Sequence, residues 1–157
     1  MTKEQIINIL SEVNDPEIPV LSIADLGILR KVDICGEKIK IQITPTYSGC
    51  PAMETIQEDI RSVLARHGLK QVEINKSLSP AWTTEWMSER GKQKLQDYGI
   101  AAPASNGCFL QGDDHPESCP HCHSKNTELI SRFGSTSCKA LYRCLDCLEP
   151  FDYFKCH

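Results

Sequence analysis

The apolar positions of the chain switch repeatedly between a helical and a strand period. Ile6, Ile7, Leu10 and Val13 share one helical face, which predicts a helix over 3–13. Thr2 and Gln5 have the spacing of a capping box at its start. The run Asn14-Asp15-Pro16-Glu17-Ile18-Pro19 ends it, because a residue before proline avoids the helical region. After a loop through Ser22-Ile23-Ala24-Asp25-Leu26-Gly27, the period changes to two. Residues 28–34 carry Ile28, Val32 and Ile34 on one parity. Residues 38–44 alternate Ile39, Ile41 and Ile43 with Lys38, Lys40, Gln42 and Thr44. Cys35-Gly36-Glu37 is a hairpin connection with a glycine available for positive φ. The expected sheet has one buried face and one wet face. A second helix follows Cys50-Pro51, since proline suits a first helical position. Its stripe is Met53, Ile56, Ile60, Val63 and Leu64, and Gly68 closes it. Val72 and Ile74 mark a third strand, Ser79-Pro80-Ala81-Trp82 a turn, and Ser88 to Tyr98 a last short helix.

This pattern predicts an α+β domain over 1–100: a three-stranded sheet with packed helices. Residues 101–118, rich in Ala, Pro, Ser, Asn, Gly and Asp, read as a linker. Residues 119–157 read as a separate small module. Composition adds little to the first part: 157 residues, 40% apolar, 24% charged and a net charge of −4 describe ordinary globular material. That balance gives no basic stripe for nucleic acid. No apolar run approaches the roughly 18 residues of a membrane span. The N-terminus lacks the pattern of a secretory signal, so the expected location is cytoplasmic.

The cysteines change the picture. Of nine, only Cys35 and Cys50 precede residue 100. In a reducing compartment a cluster of cysteines reads as metal ligands before disulfides. Cys119-Pro-His-Cys122 and Cys144-Leu-Asp-Cys147 are two knuckles with 21 residues between them. Each knuckle aims two thiolates at one point, and together they complete a tetrahedral four-sulfur site. Zinc is preferred over iron, in a structural role, because four thiolates leave no open position. Tyr142, Phe151, Tyr153 and Phe154 supply the strands of a zinc ribbon. Its five basic residues against Glu128, Asp146, Glu149 and Asp152 argue against a nucleic-acid ribbon. Cys138, Cys156 and His157 are spare donors; each fits a free side chain, a replacement ligand or a second site.

Cys50 is the second feature. At a helix N-terminus, unpaired N–H groups and the helix dipole favour thiolate, the form that binds iron or attacks electrophiles. Gly49 allows close approach. Asp15, Glu17 and Asp25 join Cys50 only if their loops converge, and Asp15 and Asp25 fit turn or cap roles equally well. His67 suits the helix C-terminus better than a metal, and Trp82 and Trp86 suit core or partner contacts. There is no serine–histidine–acid arrangement and no phosphate-binding glycine loop, so the residues by themselves give a small α+β domain with one candidate thiolate and a metal ribbon, and name no reaction.

Four segments carry a family resemblance: Asp15-Pro16-Glu17-Ile18, Asp25-Leu26-Gly27, Thr44-Pro45-Thr46-Tyr47-Ser48-Gly49-Cys50-Pro51, and Pro80-Ala81-Trp82 with Met87-Ser88. Together they resemble the metal–sulfur cluster biosynthetic, SufT-like family over about residues 3–100. The ribbon narrows it. Phe133-Gly134-Ser135-Thr136, residues 138–144 and residues 150–156 look like the D-component family of phenylacetyl-CoA epoxidase systems. That resemblance implies a role in aerobic phenylacetate degradation, with the oxygenase or reductase subunits as partners and a homodimer as a further option. It implies iron–sulfur cluster or iron delivery through Cys50, with Asp15 and Asp25 beside it as cluster-handling residues. The expected cofactors are structural zinc on Cys119, Cys122, Cys144 and Cys147 and a transient iron–sulfur cluster. One thiolate cannot hold a cluster, which takes four ligands. A second chain, a client cysteine or the ribbon must then supply the others. The alternative is a zinc-stapled adaptor that docks the oxygenase without handling metal.

Overall fold

The computed structural model describes residues 1–103 and 115–155. They form two compact units, one of Met1–Trp82 with Trp86–Ser88, the other of Thr83–Glu85 with the chain from Glu89 onward.

In the first unit, helix α1 (Lys3–Leu10) opens with the expected capping box between Thr2 and Gln5. It stops at Leu10, about one turn before the end that the apolar period predicts. The chain after it is claimed by other backbone partners: the Val13 carbonyl accepts Ile23 N–H, and Asn14 bridges Ser22. Strands β1 (Leu29–Cys35) and β2 (Lys38–Ile43) form the hairpin, with Gly36 at φ +64° in its turn. Arg30 is an extra residue in β1, so the register shifts between Leu29 and Lys31. Ile39, Ile41 and Ile43 are buried while Lys38 and Lys40 are exposed, as alternation requires. Ile34 departs from the pattern at 42% exposed, because it lies at the hairpin end of an edge strand. Helix α2 (Ala52–Arg66) is the crossover from β2 to β3 (Val72–Lys76), which pairs parallel to β2. Its whole predicted stripe is buried, and it ends at Gly68 with φ +81°. The sheet order is β1-β2-β3. The start of β1, the end of β2 and the end of β3 therefore lie at one end of the sheet, where Leu29 faces Ile43 and Ile43 faces Lys76.

The second unit carries helix α3 (Glu89–Asp97) and strands β4 (Ile100–Ala101), β5 (Thr127–Ser131), β6 (Lys139–Cys144) and β7 (Pro150–Phe154). The sheet order is β4-β7-β6-β5. Among the described residues one small core cluster joins Ala101, Cys119, Ala140, Tyr142, Cys144, Phe151 and Tyr153, with Tyr142 stacked on Phe151 and edge-on to Tyr153. The sequence pattern puts the first boundary at residue 100, whereas the compact units divide near Ser88. Backbone pairing is the reason: Ile100 and Ala101 lie beside Asp152 and Tyr153 of β7. Ala101, expected to start a linker, is a strand residue, and 104–114 lie outside the described residues. No helix among the described residues is long and apolar enough to cross a membrane.

Candidate metal centre and the Cys50 loops

Two tight turns aim the knuckle sulfurs at each other. Cys119 Sγ lies 3.8 Å from Cys147 Sγ, Cys122 Sγ lies 3.5 Å from Cys144 Sγ, and all four lie within 4.8 Å of one another. A tetrahedron with Zn–S bonds of about 2.3 Å has sulfurs about 3.8 Å apart, so the donor set fits a soft divalent ion. Backbone N–H groups point at the sulfurs, His121 to Cys119 at 3.4 Å and Cys147 to Cys144 at 3.5 Å. The two turns also match in backbone. The residue after each second cysteine, His123 and Leu148, has φ +64°. That left-handed geometry swings the chain back so the sulfurs converge.

The electrostatics of the four thiols fit a cation at this point. The Cys147 N–H, followed by the Asp146 N–H and the neighbouring thiols, draws the Cys144 thiol down to about 7. The Glu149 N–H pulls Cys147 the same way, but burial and the other three sulfurs outweigh it and push it up to about 12. The Ser124 N–H likewise lowers Cys122, yet the sulfur of Cys144 and burial leave it raised. Four sulfurs this close cannot all give up their protons unaided, and a bound metal would displace them. Asp146 is held below the usual carboxylate range by Ser124 and Asn126.

An L-residue at positive φ costs about 1–2 kcal/mol. Leu148 is 67% exposed, so little packing offsets that strain. Leu148→Gly is expected to raise stability by about 1 kcal/mol in urea unfolding of the metal-loaded chain. An unchanged or lower midpoint would contradict the strain argument.

The loops that carry the other predicted site residues connect to one end of the first unit's sheet. The Cys50 loop leaves the end of β2, and the Asp15 and Asp25 loops lead into the start of β1. Thr44 N–H bonds the Ile28 carbonyl at 2.9 Å and ties the two together. Cys50 is half-buried just before Pro51, its N–H on the Tyr47 carbonyl and its own carbonyl accepting Met53 N–H. Pro51 provides no side-chain cap for α2. Gly49, at φ +134°, has open space around it.

Asp15 and Asp25 are buried and engaged with the surrounding chain. Asp15 Oδ1 accepts the N–H groups of Glu17 at 2.7 Å and Ile18 at 2.9 Å. Asp25 is 1% exposed, exchanges hydrogen bonds with Ser22, and accepts Ser88 Oγ on Oδ1 at 3.2 Å. Around it the chain closes tightly. Trp82 Nε1 donates to the Leu26 carbonyl at 2.8 Å, and the Arg30 guanidinium lies 3.5 Å from the centre of the Trp86 ring. His67 Nδ1 lies 3.0 Å from the Val63 carbonyl, as its place at the end of α2 suggested. Cys35 is exposed at the hairpin, and Cys138 is buried 3.0 Å from Thr136 Oγ1, outside the four-sulfur group. Cys108, Cys156 and His157 lie outside the described residues.

Two features have almost no signature in the sequence. One is the bracket of Ser124, Asn126 and Asp146 across the knuckles, signalled only by a Ser-x-Asn after the first pair and an Asp inside the second. The other is the lock of Gly27 against Trp86, which no local pattern announces.

Comparison with known proteins fits these two parts. A family model described as iron–sulfur cluster assembly protein matches residues 3–75. One described as PaaD zinc beta ribbon domain matches 104–155. A protein of Escherichia coli (strain K12), named as the D component of 1,2-phenylacetyl-CoA epoxidase, is 52% identical over 94% of this chain and 89% of its own length. The chain belongs to the PaaD family. An Fe-S protein maturation auxiliary factor of Porphyromonas gingivalis is 38% identical over 60% of this chain and 90% of its own. The crystal structure of a DUF59 domain from Bacillus anthracis is 29% identical, with a TM-score of 0.56 over 59% of this chain and 90% of that one. The similarity to maturation factors thus covers the first part of the chain, and the ribbon is what the PaaD family adds.

Proposed function

We propose that this protein is an accessory factor of a phenylacetyl-CoA epoxidase system, supporting aerobic phenylacetate degradation by handling iron or an iron–sulfur cluster through Cys50. The observation that carries this reading is the placement of Cys50. It is half-buried just before α2, beside Gly49, in the part of the chain similar to maturation factors. A half-buried thiol is accessible to a partner, and a place just before a helix start favours the thiolate. A client or second chain supplies the remaining cluster ligands, because one cysteine cannot. Zinc on Cys119, Cys122, Cys144 and Cys147 holds the ribbon, which docks an oxygenase or reductase partner.

The test is Cys50→Ser in a strain lacking the native protein. Growth on phenylacetate is expected to fail, while the purified variant keeps its fold and one zinc per chain. Equal growth with the variant would sink delivery through Cys50. A second reading, an adaptor that handles no metal cargo, draws on the burial of Asp15 and Asp25, whose carboxylates serve the surrounding loops. Anaerobic purification separates the two: labile iron and sulfide that depend on Cys50 favour delivery, and zinc alone after reconstitution favours the adaptor.

A further inference from the structure

The four-sulfur group rests on two turns from distant parts of the sequence, and something must hold them at one spacing. We propose that Asp146 is the positioning residue that braces the two knuckles and sets how long the metal stays bound. The inference rests on the reading of Cys119, Cys122, Cys144 and Cys147 as metal ligands. Asp146 lies between the two cysteines of the second knuckle, and both its oxygens reach the segment that follows the first, at Ser124 and Asn126. Oδ2 accepts the Ser124 hydroxyl and Oδ1 accepts Asn126 Nδ2 at 3.1 Å. The two donors are tied to one another, since Asn126 N–H donates to Ser124 Oγ at 3.0 Å. They are tied to the ligand turns as well. The Ser124 carbonyl accepts the N–H of Cys119 at 2.8 Å, and the Asn126 carbonyl accepts the N–H of Leu145 at 2.8 Å. A closed ring of hydrogen bonds therefore runs from one metal-binding turn to the other through Asp146.

Asp146 is a charged group near a site of four thiolates, so electrostatics alone would favour its removal. Its two acceptor oxygens are the counterweight: each is matched to a donor that a neutral apolar side chain could not engage. Partners that orient ligands without touching the metal typically carry about 10–100-fold in metal affinity. The effect belongs on the release rate, because a loosened second knuckle lets one sulfur pair leave before the other.

The experiment uses the full chain loaded with cobalt as a zinc substitute, and measures transfer of the ion to a chromophoric chelator. Asp146→Ala is expected to release cobalt about ten times faster than the wild type, while the bound form keeps the absorption of a four-sulfur tetrahedral site. Ser124→Ala with Asn126→Ala breaks the same ring from the other side. It should give a similar acceleration, with little further gain when combined with Asp146→Ala. Glu128→Ala, which breaks only the exposed pair between Glu128 and Arg143 on the same sheet, should release at the wild-type rate. Wild-type release by both Asp146→Ala and the Ser124/Asn126 variant, with a cobalt site present in each, would overturn the brace alone. A wild-type chain that takes up no cobalt or zinc would overturn the metal reading and the brace with it.

Discussion

Stripping the metal from the intact protein is expected to unfold the ribbon and leave the first unit standing. The reason lies in what each core contains. Among the described residues the packed cluster that includes the ribbon strands holds seven, and two of them, Cys119 and Cys144, are metal-ligand candidates with no exposed surface. So few apolar side chains cannot offset the ordering entropy of four strands. Without an ion, four sulfurs within 4.8 Å of one another must sort protons among themselves, with Cys144 drawn down to about 7 and Cys147 pushed up to about 12. Structural zinc sites of this type contribute about 10 kcal/mol or more to folding. The first unit has its own core, built on Ile6, Leu10, Ile41, Ile43, Ile56 and Ile60, and none of the four cysteines is in it. Hydrogen exchange on the full chain after treatment with a strong chelator checks this. Amides of Lys139–Cys144 and of β7 after Pro150 should lose protection while those of Lys38–Ile43 and Ala52–Arg66 keep it. Retained protection in the ribbon strands of metal-free protein would show that the apolar core suffices. Cys119→Ser should behave as the chelated protein does.

Gly27→Ala is expected to be the most damaging single substitution in the first unit. Gly27 sits at φ +69°, where any other L-residue is strained by about 1–2 kcal/mol. The lack of space costs more than the strain. A Cβ there would overlap the Trp86 carbonyl oxygen and lie 2.7 Å from Trp86 Cβ and 2.8 Å from its carbonyl carbon, which are backbone or near-backbone atoms that cannot rotate away. Trp86 is in turn fixed by the Arg30 guanidinium over its ring and by Ser88, whose N–H and Oγ bond the Asp25 carbonyl and carboxylate. The clash therefore transmits into the Asp25 loop and the buried Trp82–Leu26 hydrogen bond. The combined loss should reach about 3 kcal/mol or more, in the upper range for single substitutions. Urea unfolding followed through the two tryptophans reads this directly. A loss under about 1 kcal/mol would show that the 82–88 segment shifts freely and locks nothing.

The two substitutions Cys50→Ser and Gly27→Ala separate function from stability at the same end of the sheet. Cys50→Ser changes one sulfur to oxygen on a half-buried side chain and should cost little fold stability. Gly27→Ala removes no functional group and should act only through the packing of Asp25, Leu26 and Trp82. Loss of maturation in the first with full stability, and in the second only in proportion to unfolding, would assign chemistry to Cys50 and architecture to the Asp25 loop.

Most of the elements and the grouping of Cys119, Cys122, Cys144 and Cys147 are legible in the chain alone. Periods of two and 3.6 marked β2 and α2, because one face of each is buried under a single core and the pattern is local. The capping box at Thr2 and Gln5 and the glycine stop at Gly68 were likewise legible, since each involves residues within a turn of one another. The paired knuckles were legible because metal chemistry demands a short fixed spacing. Which side chains meet across long separations came from the folded structure. Asp25 meeting Ser88, Trp82 meeting Leu26, and Asp146 meeting Ser124 are pairings of residues 20 or more positions apart, with no periodic trace in the chain. The fold also pairs Ile100 and Ala101 with β7, a strand too short to be read alone. Local order follows from local sequence, whereas buried polar groups such as Asp15 and Asp25 take their roles from whichever backbone the fold brings to them.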